Sequence, residues 1–439
     1  MGKRLIAILA LALVVGLTFG AAYAEVQNVK VSGDINILGV LRNNFDLANP
    51  ATNQSPISAT KENDKAGFFA TQTRVRIDAD LTDNVMATVR LINERNWTSE
   101  TNSSTDIDLD LAYVTLKEFL YSPLTLTLGR QELRFGNQMI IGANNTYNFN
   151  AVNGLPTDLS ERASFDALRA TLNYDPLVID LVYSKIGNSN VNTSNDVDLF
   201  GVNATYDINK KINVQGYIWD RKDKSANVVM GKKDDTYTVG GLVTITPVEN
   251  LKTSLEGAWQ FGKNRIVAGD VTSRNAFALQ ARADYAFTKM KMIPGFGASY
   301  TYLSGDGKQA AWDSMYYNEN LGNIAYAILP FSNMHVANLR GSVKPMEDVT
   351  LSALYGYYRL ANTVNSITSN KVDSNGFAYL NTVLNKNKNN LGQEVDLTVA
   401  YDYTEDVQLG LTMGCFAPGD AFPDSRLATQ AVASMKVTF

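Results

Sequence analysis

The sequence predicts an all-β fold, a transmembrane antiparallel up-and-down β-barrel of about 18 strands. The segment Ala428–Phe439 alternates apolar with mixed residues and stops on an aromatic. A secretory signal precedes the rest of the chain. Past residue 24, no stretch approaches the roughly 20 consecutive apolar residues that a transmembrane helix needs. The only other route across a bilayer is a closed barrel.

The N-terminus has the three parts of a signal peptide. Lys3 and Arg4 give a positive n-region, Leu5–Val15 gives an apolar core, and Ala22-Tyr23-Ala24 gives a small-residue cleavage site. We expect cleavage after Ala24. Residues 1–24 are then the signal peptide, and residues 25–439 form one barrel domain in the bacterial outer membrane.

Composition narrows the class of protein. Tyr (21), Phe (18) and Gly (31) are plentiful, whereas Pro (11) and Cys (1) are scarce. The formal net charge of −5 argues against a nucleic-acid partner. The single Cys415 permits no internal disulfide. Because His and Cys do not cluster, we expect no metal site and no cofactor.

The mature sequence divides into segments with the two-residue period of β-strands. The predicted strands cover residues 28–42, 67–80, 84–97, 106–118, 123–134, 163–174, 176–186, 196–208, 211–222, 234–247, 250–263, 272–288, 291–304, 332–344, 348–361, 391–403, 406–417 and 428–438. Each is long enough for a tilted strand to cross hydrocarbon, which takes roughly 9–11 residues.

The connections between these strands alternate in length. Short turns are predicted at Thr82-Asp83, Asp175-Pro176, Asn209-Lys210, Pro247–Glu249, Pro345–Glu347 and Thr404-Glu405. Longer polar loops cover 43–66, 98–105, 135–162, 187–195, 223–233, 264–271, 305–331, 362–390 and 418–427. This rhythm is typical of outer-membrane barrels, with periplasmic turns and extracellular loops. An even strand count lets the last strand pair with the first and removes the sheet edges.

Strand parity separates a lumenal from a lipid-facing set. The side chains predicted to face the lumen are Arg74, Arg76, Arg90, Glu94, Asp108, Asp110, Arg282, Arg340, Glu394 and Asp396. On the fourth strand, Leu109, Leu111 and Tyr113 fall on the opposite parity and are expected to face lipid. A basic residue on the lipid face at mid-membrane costs about 2–4 kcal/mol, so the two faces are hard to exchange.

The segment 123–134 is ambiguous, because its leucines share one parity with Arg130, Glu132 and Arg134. A bulge near Gly129 could reset the register. Otherwise these charged residues lie above the hydrocarbon. The sequence leaves both arrangements open.

A barrel of about 18 strands encloses an aqueous channel unless loops fill it. Lumenal charges can pair across strands and stiffen the wall, or form a constriction that selects a polar or anionic solute. We expect an outer-membrane channel for passive diffusion or export of such solutes, saccharides among them, with loop 135–162 as its gate. The alternatives are a structural or adhesive barrel with a plugged lumen and, less favoured, a barrel enzyme that uses the lone His335.

Three stretches resemble the alginate-export family of porin-like outer-membrane proteins. They are Leu128–Leu133 with Phe135-Gly136 and Ile141-Gly142, then Ser164–Arg169, and finally Leu391–Tyr401 with Leu409–Leu411 and Pro418–Asp420. The resemblance implies an 18-stranded barrel whose lumenal arginines and carboxylates select an anionic polysaccharide. The residues that match are Arg130, Glu132, Asp166, Arg169, Glu394 and Asp396. The segment Ala143–Asn153 departs from the family because it is Asn-rich and lacks a tryptophan.

The expected partners follow from this assignment. They are outer-membrane lipid, a polar or anionic solute or polysaccharide, and the barrel-assembly machinery, for which a C-terminal strand ending in Phe439 resembles the recognition signal. The resembled family works as a single barrel, whereas many smaller porins are trimers. Both a monomer and a trimer remain open.

Overall fold

The structure is a computed structural model. It describes residues 28–45, 47, 65–97, 107–143, 155–187, 196–224, 234–265, 271–305, 311–329, 331–363, 384–385, 387–423 and 425–439. The predicted signal peptide, residues 1–24, lies outside the described residues.

The strands form one 18-stranded antiparallel sheet, which confirms the predicted fold class. They are β1 (Asn28–Asn43), β2 (Lys65–Thr82), β3 (Val85–Asn96), β4 (Asp108–Leu116), β5 (Leu124–Glu132), β6 (Ser164–Asn173), β7 (Leu177–Gly187), β8 (Val197–Asn209), β9 (Ile212–Asp223), β10 (Asp234–Ile245), β11 (Leu251–Arg265), β12 (Val271–Ala286), β13 (Gly295–Leu303), β14 (Met334–Met346), β15 (Val349–Leu360), β16 (Asn390–Asp402), β17 (Val407–Pro418) and β18 (Ala428–Thr438). Each strand pairs with its neighbour in the chain.

The described part of the chain also contains a short helix, α1 (Asn323–Ile328), and a 3₁₀ turn, Thr157–Leu159. No helix within those ranges has the length and apolar character needed to cross a membrane.

The sheet closes where β18 pairs with β1, from Asp34 opposite Thr438 to Asn43 opposite Thr429. Phe439 extends this pairing by one residue. Its carbonyl accepts from Gly33 N at 2.8 Å, and its N–H donates to Gly33 O at 3.0 Å. The ring lies over Gly33, where an added Cβ would be 2.7 Å from Phe439 Cζ. Gly33 therefore provides the space in which the terminal aromatic ring packs.

The outer face of the barrel is apolar, with aromatic residues toward the long loops. Residues such as Leu41, Ile218 and Leu255 are more than half exposed, as expected for side chains that face lipid. Toward the long loops, Phe69 and Trp97 stack at 5.1 Å. These features match the apolar band and aromatic girdles of outer-membrane barrels.

One stretch of β4 faces the opposite way to its prediction. The pairing of β3 with β4 shifts between Arg90, which faces Leu111, and Leu91, which faces Leu109, so Asp110 is an extra residue. This bulge reverses the inward and outward alternation of the residues that follow Asp110. Leu111 is therefore buried on the lumenal face, at 2 % exposure. Tyr113 lies opposite the buried Thr88 and faces the lumen as well.

The candidate functional site in the lumen

The described residues of two connections fold into the barrel. The first inner loop joins β5 to β6 (residues 133–163), and the second inner loop joins β13 to β14 (residues 304–333). They pair with each other through their backbones: Gly142 N donates to Tyr316 O at 2.7 Å, and Tyr316 N to Ile140 O at 2.9 Å. The described residues of the predicted gate therefore lie inside the barrel and are held by a second loop.

The two loops share an apolar core with one side of the wall. Loop residues in this core include Met139, Ile141, Trp312 and Ile324, all below 5 % exposure. The wall contributes residues from β6 around to β18, among them Phe165, Trp219, Val336, Tyr358 and Phe416. Burial of this apolar surface holds most of the described loop residues against β6–β18. The end of the first inner loop packs elsewhere, since Leu155 is buried in a smaller cluster with Leu38, Val40 and Ala70 of β1 and β2.

Glu394 of β16 anchors the second inner loop. Its carboxylate accepts backbone N–H groups of the first turn of α1, from Ile324 at 2.6 Å and Ala325 at 2.9 Å. Asp396 accepts Asn323 N at 3.1 Å. Gly322 precedes the helix with φ +154°, and an added Cβ would lie 2.5 Å from Glu394 Oε2. The residue before the helix must therefore be small for the carboxylate to reach the helix end.

Glu256 of β11 anchors the first inner loop. One carboxylate oxygen accepts Asn137 N at 2.9 Å, and the other accepts the Tyr217 hydroxyl at 2.8 Å. The Asn137 side chain donates to Gln280 at 2.9 Å. Glu256 is 1 % exposed, so each oxygen replaces lost water with a hydrogen bond from the protein.

Glu94 of β3 anchors the far end of the same loop. It accepts Glu161 N at 2.7 Å, the Ser160 hydroxyl at 2.7 Å and Arg162 Nε at 3.2 Å. Thus one buried wall carboxylate holds each of three places on the inner loops.

The second inner loop is also held by a buried charge cluster. Asp313 lies 2.6 Å from Arg221 and 3.4 Å from Arg274, on β9 and β12. Asp234 of β10 lies 3.7 Å from Arg221. All four side chains are at most 4 % exposed. Removing one partner would leave a buried charge uncompensated, which is strongly destabilising.

Arginines and carboxylates cover the inner face of β1–β4, and we call this set, with two residues that contact it, the charged wall. It contains Asp34, Arg74, Arg76, Asp78, Arg90, Asp108 and Asp110, together with Glu132 at the end of β5 and Arg162 of the first inner loop, which contact Arg90 and Asp108. Arg74 pairs with Asp34 at 2.8 Å, Arg76 with Asp78 at 2.7 Å, and Arg90 with Asp110 at 2.5 Å. Glu132 lies 2.6 Å from Arg90 and 3.0 Å from Arg134.

Three of these guanidinium groups are close neighbours. Arg74 and Arg76 are two residues apart on β2, and Arg76 lies directly opposite Arg90 of β3. Like charges in directly opposed positions destabilise a sheet. The neighbouring carboxylates offset this cost, and Arg76 stays 37 % exposed in its side chain. The charged wall therefore brings three neighbouring arginines together among carboxylates, and Arg76 is the most exposed of the three.

The remaining cations that were predicted to face the lumen contact either an inner loop or a carboxylate of another strand. Arg169 pairs with Asp180 at 2.8 Å and lies 5.3 Å from the Phe135 ring. Arg282 lies 2.8 Å from Glu319 of the second inner loop, and Arg340 lies 3.3 Å from Asp284. Burial raises the pKa of Glu319, and the positive charge of Arg282 opposes that rise.

Arg130 and Asp166, which the family resemblance assigned to the lumen, lie on the outer face. Asp166 shares its face with Leu168, which is 51 % exposed, whereas the alternating Phe165 and Ala167 are buried toward the loops. Arg130 pairs with Asp166 at 2.8 Å. The pairing of β5 runs through Gly129 without a register shift. Of the two arrangements that the sequence left open, a bulge at Gly129 and a position beyond the hydrocarbon, the second is therefore correct for Arg130.

The sequence did not identify Glu256, Asp34 or Arg162 as site residues. Glu256 alternates with Leu255 and Gly257, the same signal that identified Glu394. Arg162 lies in the first inner loop, outside the predicted strand 163–174, so strand parity could not place it.

The comparisons with known proteins agree with this architecture. The family model for alginate export matches residues 40–434. No curated protein sequence matches the chain. Among solved structures, Pseudomonas aeruginosa OccK3 (OpdO) is similar with a TM-score of 0.58 at 10% identity, covering 94% of this chain and 96% of that one. OccK5 (OpdH) of the same organism gives a TM-score of 0.58 at 11% identity, with 94% and 99% covered.

A third similar structure is P. aeruginosa OccK2 (OpdF) in complex with glucuronate, with a TM-score of 0.57 at 10% identity and 94% and 99% covered. At these identities the similarity concerns the fold, and the family model carries the assignment. The chain therefore belongs to the alginate export family and is a bacterial outer-membrane channel for polar solutes.

Proposed function

We propose that the channel passes small anionic solutes, carboxylated saccharides in particular, by passive diffusion along the charged wall. The observation that carries this proposal is the arginine cluster of Arg74, Arg76 and Arg90. It lies on the inner face of β2 and β3, where Arg74 also contacts Glu161 of the first inner loop at 3.2 Å.

Paired arginines suit a transport path better than isolated ones. A channel must bind its solute strongly enough to admit it and weakly enough to release it. Each arginine of the cluster already has a carboxylate partner, so an incoming carboxylate exchanges with a wall carboxylate instead of filling an empty site. Guanidinium also binds carboxylates, as it binds phosphates, in a bidentate geometry that adds geometric specificity.

The solute class is supported by the charge pattern and by one relative. OccK2 (OpdF) was solved in complex with glucuronate, a sugar that carries one carboxylate. The alternation of arginine with carboxylate along the wall also provides hydrogen-bond acceptors for sugar hydroxyls. Diffusion through such a path runs down the concentration gradient, so the same lumen serves uptake and export.

Reversal potentials across planar bilayers test the role of the cluster. In a salt gradient, we expect the variant Arg74→Gln/Arg76→Gln/Arg90→Gln to shift the reversal potential toward cation preference, because three lumenal cations are lost and their carboxylates remain. The matched control is Arg130→Gln, which removes a cation from the outer face. An unchanged reversal potential in the triple variant would exclude the cluster as a selectivity element.

We further propose that the mature protein begins at Glu25 and forms one barrel domain with no enzymatic activity, working as a monomer. Intact mass of the protein purified from outer membranes tests the cleavage site. Its oligomeric state in mild detergent distinguishes a monomer from a trimer.

A further inference from the structure

A single row of charged side chains with alternating sign crosses the outer face of seven neighbouring strands, β5–β11. In strand order the row is Arg130, Asp166, Lys185, Asp198, Lys222, Asp235 and Lys263. Each member is the direct register partner of the next. The row is bounded by uncharged residues, Ala112 on β4 and Ser273 on β12.

The row lies at a defined height on the barrel. The next outward-facing row toward the middle of the barrel contains four aromatic residues, Tyr183, Phe200, Tyr237 and Phe261, with Asp220 of β9 between Phe200 and Tyr237. Two residues along a strand correspond to about 7 Å. Aromatic girdles mark the interface between hydrocarbon and headgroups, so a charged row about 7 Å beyond them lies among the headgroups of the outer leaflet.

The basic side chains of the row remain accessible. Lys185 contacts Asp196 and lies 3.1 Å from Asp198, and Lys222 lies 3.2 Å from Asp220. Their side chains are still 37 % and 39 % exposed. An ammonium group has three donor hydrogens, so both lysines can contact a further anion while they keep these pairs.

The spacing of the cations points to a ligand with two anionic ends. Arg130, Lys185, Lys222 and Lys263 occur on every second strand, and strands are about 4.8 Å apart. Adjacent cations are therefore about 10 Å apart, roughly the length of a disaccharide. The carboxylates between them prevent repulsion between like charges and can bind divalent cations that bridge to phosphate groups.

We propose that this row binds the phosphorylated disaccharide headgroup of the glycolipid in the outer leaflet. The site fixes the barrel to its lipid on the β5–β11 side. It does not depend on the solute path, which lies on the other face of the wall.

Lipid titration followed by native mass spectrometry tests the proposal. The probe is a bisphosphorylated disaccharide glycolipid added to the full-length protein in detergent. We expect the variant Lys185→Gln/Lys222→Gln/Lys263→Gln to bind it at least about tenfold more weakly, given the gain from each lysine near an anionic lipid surface. The arginine variant of the same three positions restores binding, because the charge returns.

The matched control is Lys210→Gln/Lys211→Gln/Lys252→Gln, which removes the same charge at the other rim and keeps wild-type affinity. Heat-modifiable migration on gels verifies that each variant is folded. If the glutamine triple fails this check, Lys222→Gln alone is compared with Lys211→Gln, and a severalfold loss confined to the former is expected. Equal affinity of the two triples, or equal binding of the dephosphorylated glycolipid, would overturn the proposal. Dimerisation of the protein through this row in the absence of bound lipid would also overturn the proposal.

Discussion

Replacing Glu394 with alanine should release α1 from the wall and enlarge the open channel. Glu394 is fully buried and accepts two backbone N–H groups, from Ile324 at 2.6 Å and Ala325 at 2.9 Å. Both residues are themselves fully buried. The alanine variant leaves two donors without an acceptor as long as the loop stays in place.

The size of this effect follows from the cost of a buried unsatisfied donor, about 1–3 kcal/mol for each group. Two donors therefore destabilise the docked loop by about 2–6 kcal/mol relative to a loop that has left the wall. Because each 1.4 kcal/mol corresponds to a factor of ten, the undocked population rises by at least about 30-fold.

Single-channel recordings in planar bilayers measure the consequence. We expect Glu394→Ala to show a larger mean conductance with more frequent transitions between levels. Glu394→Gln keeps one carbonyl oxygen as an acceptor and should lie between alanine and wild type. Glu347→Ala, in a periplasmic turn, controls for loss of one carboxylate. Recordings of folded Glu394→Ala that match wild type would refute the role of this carboxylate as an anchor.

Two further perturbations test other contacts. Glu256→Ala removes the acceptor of Asn137 N and the Tyr217 hydroxyl, so it should raise conductance and channel noise in the same recordings. Glu249→Ala, in the adjacent turn, should change neither, and identical noise in both variants would count against a second anchor. Deletion of Phe439 removes two backbone hydrogen bonds to Gly33 and the ring that covers Gly33. Less heat-modifiable barrel should then reach the outer membrane, while export across the inner membrane is unchanged. Phe439→Tyr should assemble normally, and equal barrel yields for the deletion and wild type would rule out this role.

The alternation of side chains was sufficient to predict the strands and their number, because a residue on a barrel strand meets either lipid or lumen. It failed at Leu111, since a one-residue bulge at Asp110 reverses the parity and leaves no signal in the sequence. It placed Glu394 correctly on the lumenal face, while Glu256 carried the same signal and was missed.

The path of the loops could not be predicted. The run Met139–Ile141 is apolar within a polar loop, which indicates burial but not the surface that buries it. The contact between Ile141 and Tyr316 joins residues far apart in the sequence, so local patterns carry no information about it. Conversely, the parity of Arg130 with Leu128 left the outer face as one of two open arrangements, and the family resemblance pointed to the lumen. The structure places Arg130 on the outer face.

Solute entry into proteoliposomes tests the central claim most directly, because it compares an anionic with a neutral solute of similar size. Liposomes that contain the wild-type protein should swell in isotonic glucuronate faster than in isotonic glucose, and Arg74→Gln/Arg76→Gln/Arg90→Gln should abolish the difference. Equal rates for the two solutes in wild type would contradict an arginine-selected anionic path, and no swelling with either solute would contradict an open channel.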